Sequence, residues 1–182
     1  DMKTGREAWR SKVQARHGSS IVAKIGKVEV VVTPSGSVVR ATDGEVLANK
    51  LFRLGHSSPI LHEDVIYAMP DGKTVALSLP KSAKANSEWK LKWEGSAFRQ
   101  RRFASPVYHD ELIYGVTEKG LLEVIDASNG KLVYRKRLSF GNRGRVYPSP
   151  TVAGDFLFLS ADNGTTFVVK PGRKYEQVAS NK

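Results

Sequence analysis

Residues 105–114 read SPVYHDELIY, and this stretch decides the fold because similar stretches occur twice more in the chain. Residues 58–67 read SPILHEDVIY, and residues 149–158 read SPTVAGDFLF. A weaker fourth copy begins at Ser20 and continues into the valine-rich residues 28–32. Each copy places a short apolar strand after the serine, then a polar turn, then a second strand rich in Val, Ile, Tyr or Phe. Such a recurring pattern is the signature of a repeat architecture.

Two more strands complete each copy. A glycine-containing turn follows the second strand, as at residues 70–72 and 162–164. Asp-Gly and Asn-Gly pairs favour hairpins because both residues tolerate positive φ. Four short antiparallel strands in a repeat of roughly 40–45 residues are typical of a propeller blade. No stretch shows convincing helical periodicity, and we therefore predict an all-β propeller.

The repeat divides the chain into four predicted blades, whose strands A to D run from the centre to the rim. Their approximate bounds are residues 20–54, 55–95, 96–140 and 141–182. Residues 1–19 are predicted to supply an orphan strand, the last of a preceding blade, and a linker. Propellers typically have about 4–8 blades. We expect a fragment of a larger ring, and two copies that pair into an eight-bladed ring are the second option.

The composition describes a basic globular chain without thiol chemistry. Its 182 residues include 29 Lys+Arg, 18 Asp+Glu and no cysteine, which gives a formal charge of +11. The lack of Cys excludes a disulfide framework, a thiolate zinc site and a cysteine nucleophile. The apolar runs are too short to span a bilayer, and residues 1–5 do not resemble a signal peptide. The charge fits either contact with a polyanion or a solvated basic surface.

Two segments carry the residues of a known repeat. Residues 1–9 read DMKTGREAW, and residues 124–134 read VIDASNGKLVY. Each has an Asp, a glycine turn and an aromatic residue four positions after the glycine. These positions are held by Asp1, Gly5 and Trp9 and by Asp126, Gly130 and Tyr134. In this pattern the chain resembles the pyrroloquinoline-quinone-type propeller repeat. Blade one keeps the turn glycine as Gly44 but has Ala48 at the aromatic position.

The resemblance implies a bacterial propeller that is periplasmic or secreted. Quinone-dependent dehydrogenases of this superfamily hold pyrroloquinoline quinone and calcium over the tunnel, whereas a non-catalytic branch resembles the periplasmic scaffold of outer-membrane protein assembly. We favour the non-catalytic branch, without a cofactor, because no acidic cluster here has the spacing of a calcium loop. The alternative is part of a quinone-dependent dehydrogenase whose cofactor and calcium residues lie elsewhere.

The histidines and serines give no catalytic or metal site. His62 and His109 occupy equivalent A-to-B turns, which indicates shared hairpin chemistry, and two histidines are an incomplete zinc shell. His17 and His56 stand alone in predicted loops, and we assign both to the surface. The chain contains no nucleophile elbow and no phosphate-binding glycine loop.

Arginines are concentrated in the connections that run from strand D of one blade to strand A of the next. In a propeller these connections share one face with the B-to-C turns, so we predict a ligand-binding basic face there. Its predicted residues are Arg53, Arg99, Arg101, Arg102, Arg143 and Arg145.

Three interpretations of this basic face remain open. The arginines either bind carbonyl and carboxylate groups of neighbouring blades, or recognise an acidic protein segment or acidic polysaccharide, or bind nucleic acid. Nucleic acid is least favoured because no recognised nucleic-acid module is present. We predict an interaction scaffold with a protein or acidic ligand on this face, and a homodimer that completes a ring remains an option.

Overall fold

The computed structural model describes residues 1, 3–14, 16–141 and 144–182. These residues form sixteen β-strands in four antiparallel four-stranded sheets. The described part of the chain contains no helix, and hence none long and apolar enough to span a membrane. In each sheet the strands follow chain order, so every blade is a simple meander. The predicted all-β propeller architecture is confirmed.

Each sheet is one blade and lies within one segment of the repeat. Blade one contains β1 (Ile21–Ile25), β2 (Val28–Val32), β3 (Val38–Arg40) and β4 (Val46–Ala48). Blade two contains β5 (Ile60–His62), β6 (Val65–Ala68), β7 (Thr74–Ser78) and β8 (Lys90–Gly95). Blade three contains β9 (Val107–His109), β10 (Leu112–Val116), β11 (Leu121–Asp126) and β12 (Leu132–Arg137). Blade four contains β13 (Thr151–Ala153), β14 (Phe156–Ser160), β15 (Thr166–Lys170) and β16 (Glu176–Asn181).

The hydrophobic core lies between the blades rather than inside them. Three buried clusters fill the three junctions between successive blades, and they include Val32 with Ile66, Tyr67 with Ile113, and Tyr114 with Leu157. A strand alternates its side chains between the two faces of its sheet, so each middle blade packs both faces. The innermost strands β1, β5, β9 and β13 contact one another in that order. Blade stacking therefore follows the chain.

All four outer strands carry a β-bulge at the same place. The register shifts opposite Val38/Val39, Ala76/Leu77, Val124/Ile125 and Val168/Val169. The residue after the bulge then sits at the same position in every blade, and in blades one to three it lies on the side of the following blade. These residues are Ala48, Trp93, Tyr134 and Ala179. A bulge re-aims a side chain, and here it sets the residue that docks on the neighbour.

In blade two, the residue after the bulge is Trp93, and it packs in the junction with blade three. Trp93 Nε1 donates to the carbonyl oxygen of Ala127 in blade three at 2.8 Å. The indole ring lies directly on Gly130, where a Cβ would overlap it. Gly130 also has a φ of +71°, which favours glycine. The turn glycine thus serves both the backbone conformation and the close approach of the ring.

The N-terminal segment reproduces this docking without forming the expected strand. Asp1 Oδ1 accepts the N–H groups of Lys3 and Thr4, both at 2.9 Å, which builds the predicted turn. Trp9 Nε1 then donates to Ala41 O at 2.8 Å, and its ring lies on Gly44. No strand forms before Ile21 in the described residues. The orphan strand does not form because no described residue offers the segment a partner strand.

The insertion in blade two replaces a missing docking residue. Blade one has only Ala48 at that position, and Ala83 and Trp89 of blade two pack against the same cluster. Asn86 N also donates to Leu47 O at 3.2 Å. Most of residues 81–87 are exposed, as the sequence indicates, but the loop also contacts the neighbouring blade.

The junction between blades three and four contains two tyrosines with opposite hydrogen-bonding states. Tyr114 Oη accepts the N–H of Gly172 at 2.8 Å, whereas the buried Tyr134 Oη has no partner among the described residues. Burial raises the pKa of both phenols. We expect Tyr114→Phe to cost about 1 kcal/mol and Tyr134→Phe to be neutral or stabilising, because only the first removes a hydrogen bond. Paired urea titrations would measure this difference, and equal losses would contradict it.

Candidate functional site

The D-to-A connections and the B-to-C turns lie together on one face of the propeller. In blade three, Glu118 N donates to Arg101 O, and Glu118 O accepts from Val146 N, each at 3.0 Å. Asp162 N of blade four donates to Arg145 O at 3.0 Å. The turn of each blade is therefore held against the adjoining connections. We call this surface the connection face.

A row of serines joins the four blades at this face. The backbone N–H of each of the first three serines donates to the hydroxyl of the serine at the start of the following blade. The bonds run from Ser19 to Ser58 at 2.9 Å, from Ser58 to Ser105 at 3.0 Å and from Ser105 to Ser149 at 2.9 Å. The recurrent Ser-Pro pair therefore fixes the spacing between blades.

A row of ring side chains follows the serines. His17, His56, Phe103 and Tyr147 each lie two residues before a serine of that row. Their ring centroids are 4.8 Å apart for the first pair, 4.6 Å for the second and 5.0 Å for the third. His17 is exposed, and Tyr147 keeps 49% of its surface exposed. We call these four side chains the ring row.

The ring row was not predicted as a unit. His17 and His56 do not stand alone, because their imidazoles stack with an interplanar angle of 13°. The sequence does place all four rings at the same distance before a serine. The pattern is hard to recognise because three residue types, His, Phe and Tyr, occupy the four positions. The recurring serine can therefore be found by sequence similarity. The ring can be found only by its constant position two residues before that serine.

The predicted arginines divide into exposed and structural groups. Arg101 is exposed, and its guanidinium lies 4.6 Å from the centroid of the Phe103 ring. Arg53 and Arg99 are exposed, and Arg99 Nε donates to Ser96 O at 3.0 Å. Arg145 is exposed but pairs with Glu118 at 2.9 Å. Arg143 lies outside the described residues. Positive charge is therefore present on the connection face, with Arg101 directly on the ring row.

Arg102 is not part of the exposed basic face, which corrects the prediction. Only 4% of it is exposed, and its guanidinium donates to Phe98 O and Met69 O, both at 2.5 Å. Burial lowers the pKa of Arg102 to about 10, so the group remains charged at neutral pH. Arg102 joins the connection to the end of strand β6 rather than facing solvent.

A cavity of about 590 Å³ opens beside Arg101. It is lined by Gln100, Arg101, Thr117, Glu118, Lys119 and Arg137. Three of these side chains are cationic, and the carboxylate of Glu118 is already paired with Arg145. The cavity thus extends the positive charge of the connection face and suits an anionic group.

The acidic side chains of the described residues do not gather into a metal-binding cluster. No group of three His, Cys, Asp or Glu side chains could hold a metal there. The buried Glu123 accepts from Phe98 N at 3.0 Å and pairs with Arg135. The Ser128 hydroxyl donates to Asp126 Oδ1, Arg173 binds Asp126 Oδ2 at 2.5 Å and Ser128 N donates to Oδ1 at 3.0 Å, and these contacts lower the pKa of the Asp126 carboxyl. Both carboxylates are engaged in holding the blades.

The remaining histidines are the last residues of strands β5 and β9, directly before the A-to-B turns in which they were predicted to lie. His62 stacks on Tyr108 with ring centroids 3.9 Å apart, and His109 Nε2 lies 3.2 Å from Asp110 Oδ2. His62 therefore contacts the neighbouring blade, whereas His109 has a partner in its own hairpin.

Comparison with solved structures supports the propeller fold. BamB from Moraxella catarrhalis is 19% identical, with a TM-score of 0.61 over 90% of this chain and 49% of that one. The quinohemoprotein alcohol dehydrogenase ADHIIG from Pseudomonas putida HK5 is 14% identical, with a TM-score of 0.62 over 96% of this chain and 35% of that one. The computationally designed Ika8 protein is 13% identical, with a TM-score of 0.62 over 92% of this chain and 50% of that one.

The chain covers only part of the BamB structure that it resembles. It spans about half the length of the BamB structure. A comparison with curated proteins gives no match. The family model described as outer membrane protein assembly factor BamB matches residues 1–180, which is nearly the whole chain. The resemblance to the pyrroloquinoline-quinone-type repeat is thus confirmed, and the chain belongs to the BamB family of propellers.

Proposed function

We propose that this chain is part of a non-catalytic propeller scaffold that binds an acidic segment of a partner protein on its connection face. The observation that carries the proposal is the ring row, a continuous series of exposed and half-buried rings across four blades. The family description as an assembly factor for outer membrane proteins supports a role based on protein contact, and it supports a periplasmic location.

The chemistry of the connection face suits a protein segment. Aromatic and arginine side chains dominate the energetics of protein interfaces. Phe103 and Tyr147 offer apolar surface at the ring row, and Arg101 adds a cation next to it. The cationic cavity beside Arg101 would accept a carboxylate from the same ligand. Rigid strands and the serine row hold these groups in place, which lowers the entropy lost on binding.

An acidic polysaccharide is the alternative ligand for the same face. It would use the cations of the connection face and not the apolar surface of the rings. A homodimeric ring is less compatible with the geometry. Trp9 already occupies the flank of blade one over Gly44, where the outer strand of a second copy would have to lie.

A part of a quinone-dependent dehydrogenase remains the second candidate, and the fold of alcohol dehydrogenase ADHIIG favours it. Titration with pyrroloquinoline quinone and calcium, followed by absorbance, separates the two functions. Stoichiometric quinone binding with reduction of an electron-accepting dye would replace the scaffold proposal.

Replacing Phe103 and Tyr147 of the ring row should weaken binding of an acidic peptide. The probe is a fluorescein-labelled peptide of three Glu-Glu-Phe repeats, measured by fluorescence anisotropy. We expect the double variant Phe103→Ser, Tyr147→Ser to bind it at least about tenfold more weakly, because hot-spot aromatics are typically worth 2 kcal/mol or more. Val178→Ser is the matched control, since Val178 is also 49% exposed but lies on the outer strand of blade four.

The same measurement distinguishes the competing ligands. A heparin fragment that binds the double variant as well as the parent chain, while the peptide does not bind at all, would support the polysaccharide. Tighter binding of single-stranded DNA than of the peptide would support nucleic acid. Equal affinity of the peptide for the double variant and the control would contradict a role for the ring row.

A further inference from the structure

Strand β12 presents an unpaired edge at the rim of blade three. Its partner is β11, and no other strand of the described residues pairs with it. Such an edge exposes a row of N–H and C=O groups that can pair with another chain. The same is true of β4, β8 and β16, so the open edge alone does not single out β12.

Charge distinguishes β12 from the other outer strands. Residues 131–137 read KLVYRKR and contain four cations and no acidic residue. Strand β8 includes Glu94 and strand β16 includes Glu176, each paired with a lysine. On β12, Arg135 pairs with Glu123 at 3.0 Å, while Lys136 and Arg137 have no carboxylate partner among the described residues. The edge is therefore strongly cationic, with charge left over after its internal pairing.

The cations of β12 point to both sides of the strand. Arg135 and Arg137 lie on the side of blade two, where Arg135 contacts the carboxylate of Glu123 and Arg137 lines the cavity with Arg101. Lys136 lies on the side of blade four, with its Nζ 5.1 Å from the centroid of the Tyr175 ring. An added strand would therefore meet positive charge on either face of its own alternating side chains.

A groove follows β12 on the side of blade two. A cavity of about 670 Å³ is lined there by Gly95, Ser96, Ala97, Gly130, Leu132 and Arg135, among others. A neighbouring cavity of about 290 Å³ shares Ser96 and Arg135 and adds Arg99. Small residues leave room for side chains of an incoming strand, and Leu132 keeps 42% of its surface exposed.

We propose that the edge of β12 binds an extended acidic segment of a partner protein as a fifth strand of blade three. Backbone hydrogen bonds to β12 supply affinity, and pairing of carboxylates with the cations selects the segment. Strand addition at a sheet edge requires no rearrangement of blade three. This surface is distinct from the ring row, so it gives the scaffold a second place of contact.

The experiment uses the whole 182-residue chain and a fluorescein-labelled octapeptide of alternating Thr and Glu. Two further peptides are N-methylated, one at every Thr and the other at every Glu. In a strand, alternate N–H groups face the neighbouring strand. We therefore expect one methylated peptide to lose at least about tenfold in affinity and the other to bind nearly as well as the parent peptide.

Charge reversal locates the site. The double variant Lys131→Glu, Lys136→Glu, which leaves the cavity beside Arg101 intact, should weaken binding at least about tenfold, whereas Lys90→Glu, Lys92→Glu on the edge of β8 should change it less than about twofold. Amide hydrogen exchange with bound peptide should show protection at residues 132–137. The Phe103→Ser, Tyr147→Ser variant should bind this peptide normally, which separates the edge site from the ring row.

The alternative outcomes overturn the proposal. No binding to the parent chain, or equal binding of both methylated peptides, would exclude strand pairing. Protection confined to the connection face would place the acidic peptide there instead. Equal losses for the β8 and β12 variants would show a general charge effect with no selective edge.

Discussion

Replacing Trp93 with alanine is expected to lower the free energy of unfolding by about 3–5 kcal/mol, the usual cost of deleting a large buried aromatic side chain. Trp93 is 9% exposed and lies in the junction between blades two and three. The change removes the ring from Gly130 and the hydrogen bond from Nε1 to Ala127 O. Urea unfolding followed by circular dichroism would measure the loss, because the remaining tryptophans do not report this junction directly.

Two further variants separate the contributions of the ring and of its hydrogen bond. Trp93→Phe keeps an aromatic ring but loses the Nε1 donor, so it should cost less than Trp93→Ala by about 2 kcal/mol or more. Trp9→Ala removes the same contacts from a less buried residue at Gly44 and should cost less than Trp93→Ala. A loss for Trp9→Ala as large as that for Trp93→Ala would contradict burial as the source of the effect.

The blade pattern could be predicted because local and long-range requirements coincide in it. The Ser-Pro pair marks the start of blades two to four, and its serine hydroxyl also accepts a hydrogen bond from the preceding connection. The turn glycine at Gly130 meets both a left-handed backbone and the Trp93 ring. At such a position one residue type meets both the local and the long-range requirement. The blade pattern can therefore be recognised in a single sequence.

The connection face was predicted less completely because its residues act through partners in other blades. Arg101 and Arg102 are adjacent and chemically identical, yet one lies on the Phe103 ring and the other is buried. Successive side chains point to opposite sides of the connection, so only one of the two arginines faces inward. No local sequence pattern indicates which of them is buried. The ring row is similar, since stacking requires only a ring and accepts His, Phe or Tyr.

Within this family fold, the same connection supplies both packing and exposed chemistry. Phe98 is fully buried and adopts a φ of +58°, an unfavourable conformation for a phenylalanine. Its N–H donates to Glu123 Oε2 and its carbonyl oxygen accepts from Arg102. Two charged side chains thus hold the strained backbone of Phe98. Glu123 and Arg102 therefore fix the backbone conformation of the connection that bears Arg101 and Phe103.

Replacing Arg102 with methionine is therefore expected to cost about 2–4 kcal/mol of stability. Methionine keeps much of the aliphatic volume but removes every donor, and the carbonyl groups of Phe98 and Met69 lose their charged partner. Each buried carbonyl without a partner costs about 1–3 kcal/mol. The variant no longer buries a charged group, and the desolvation cost that it avoids offsets part of this loss. Urea unfolding measures the change, with Arg101→Met as the exposed neighbour that should stay within about 0.5 kcal/mol of the parent.

Arg102→Lys tests whether the planar fork of the guanidinium is what matters at this position. A lysine keeps the charge but offers a single ammonium group, which cannot place two parallel donors on carbonyls of different segments. We expect it to recover less than half of the loss caused by methionine. Because Arg102 also fixes the backbone under Phe103, both variants should weaken peptide binding at the ring row, in the order of their effect on stability. Full recovery by lysine would mean that charge alone holds the connection, and unchanged stability in Arg102→Met would mean that Phe98 is held without Arg102.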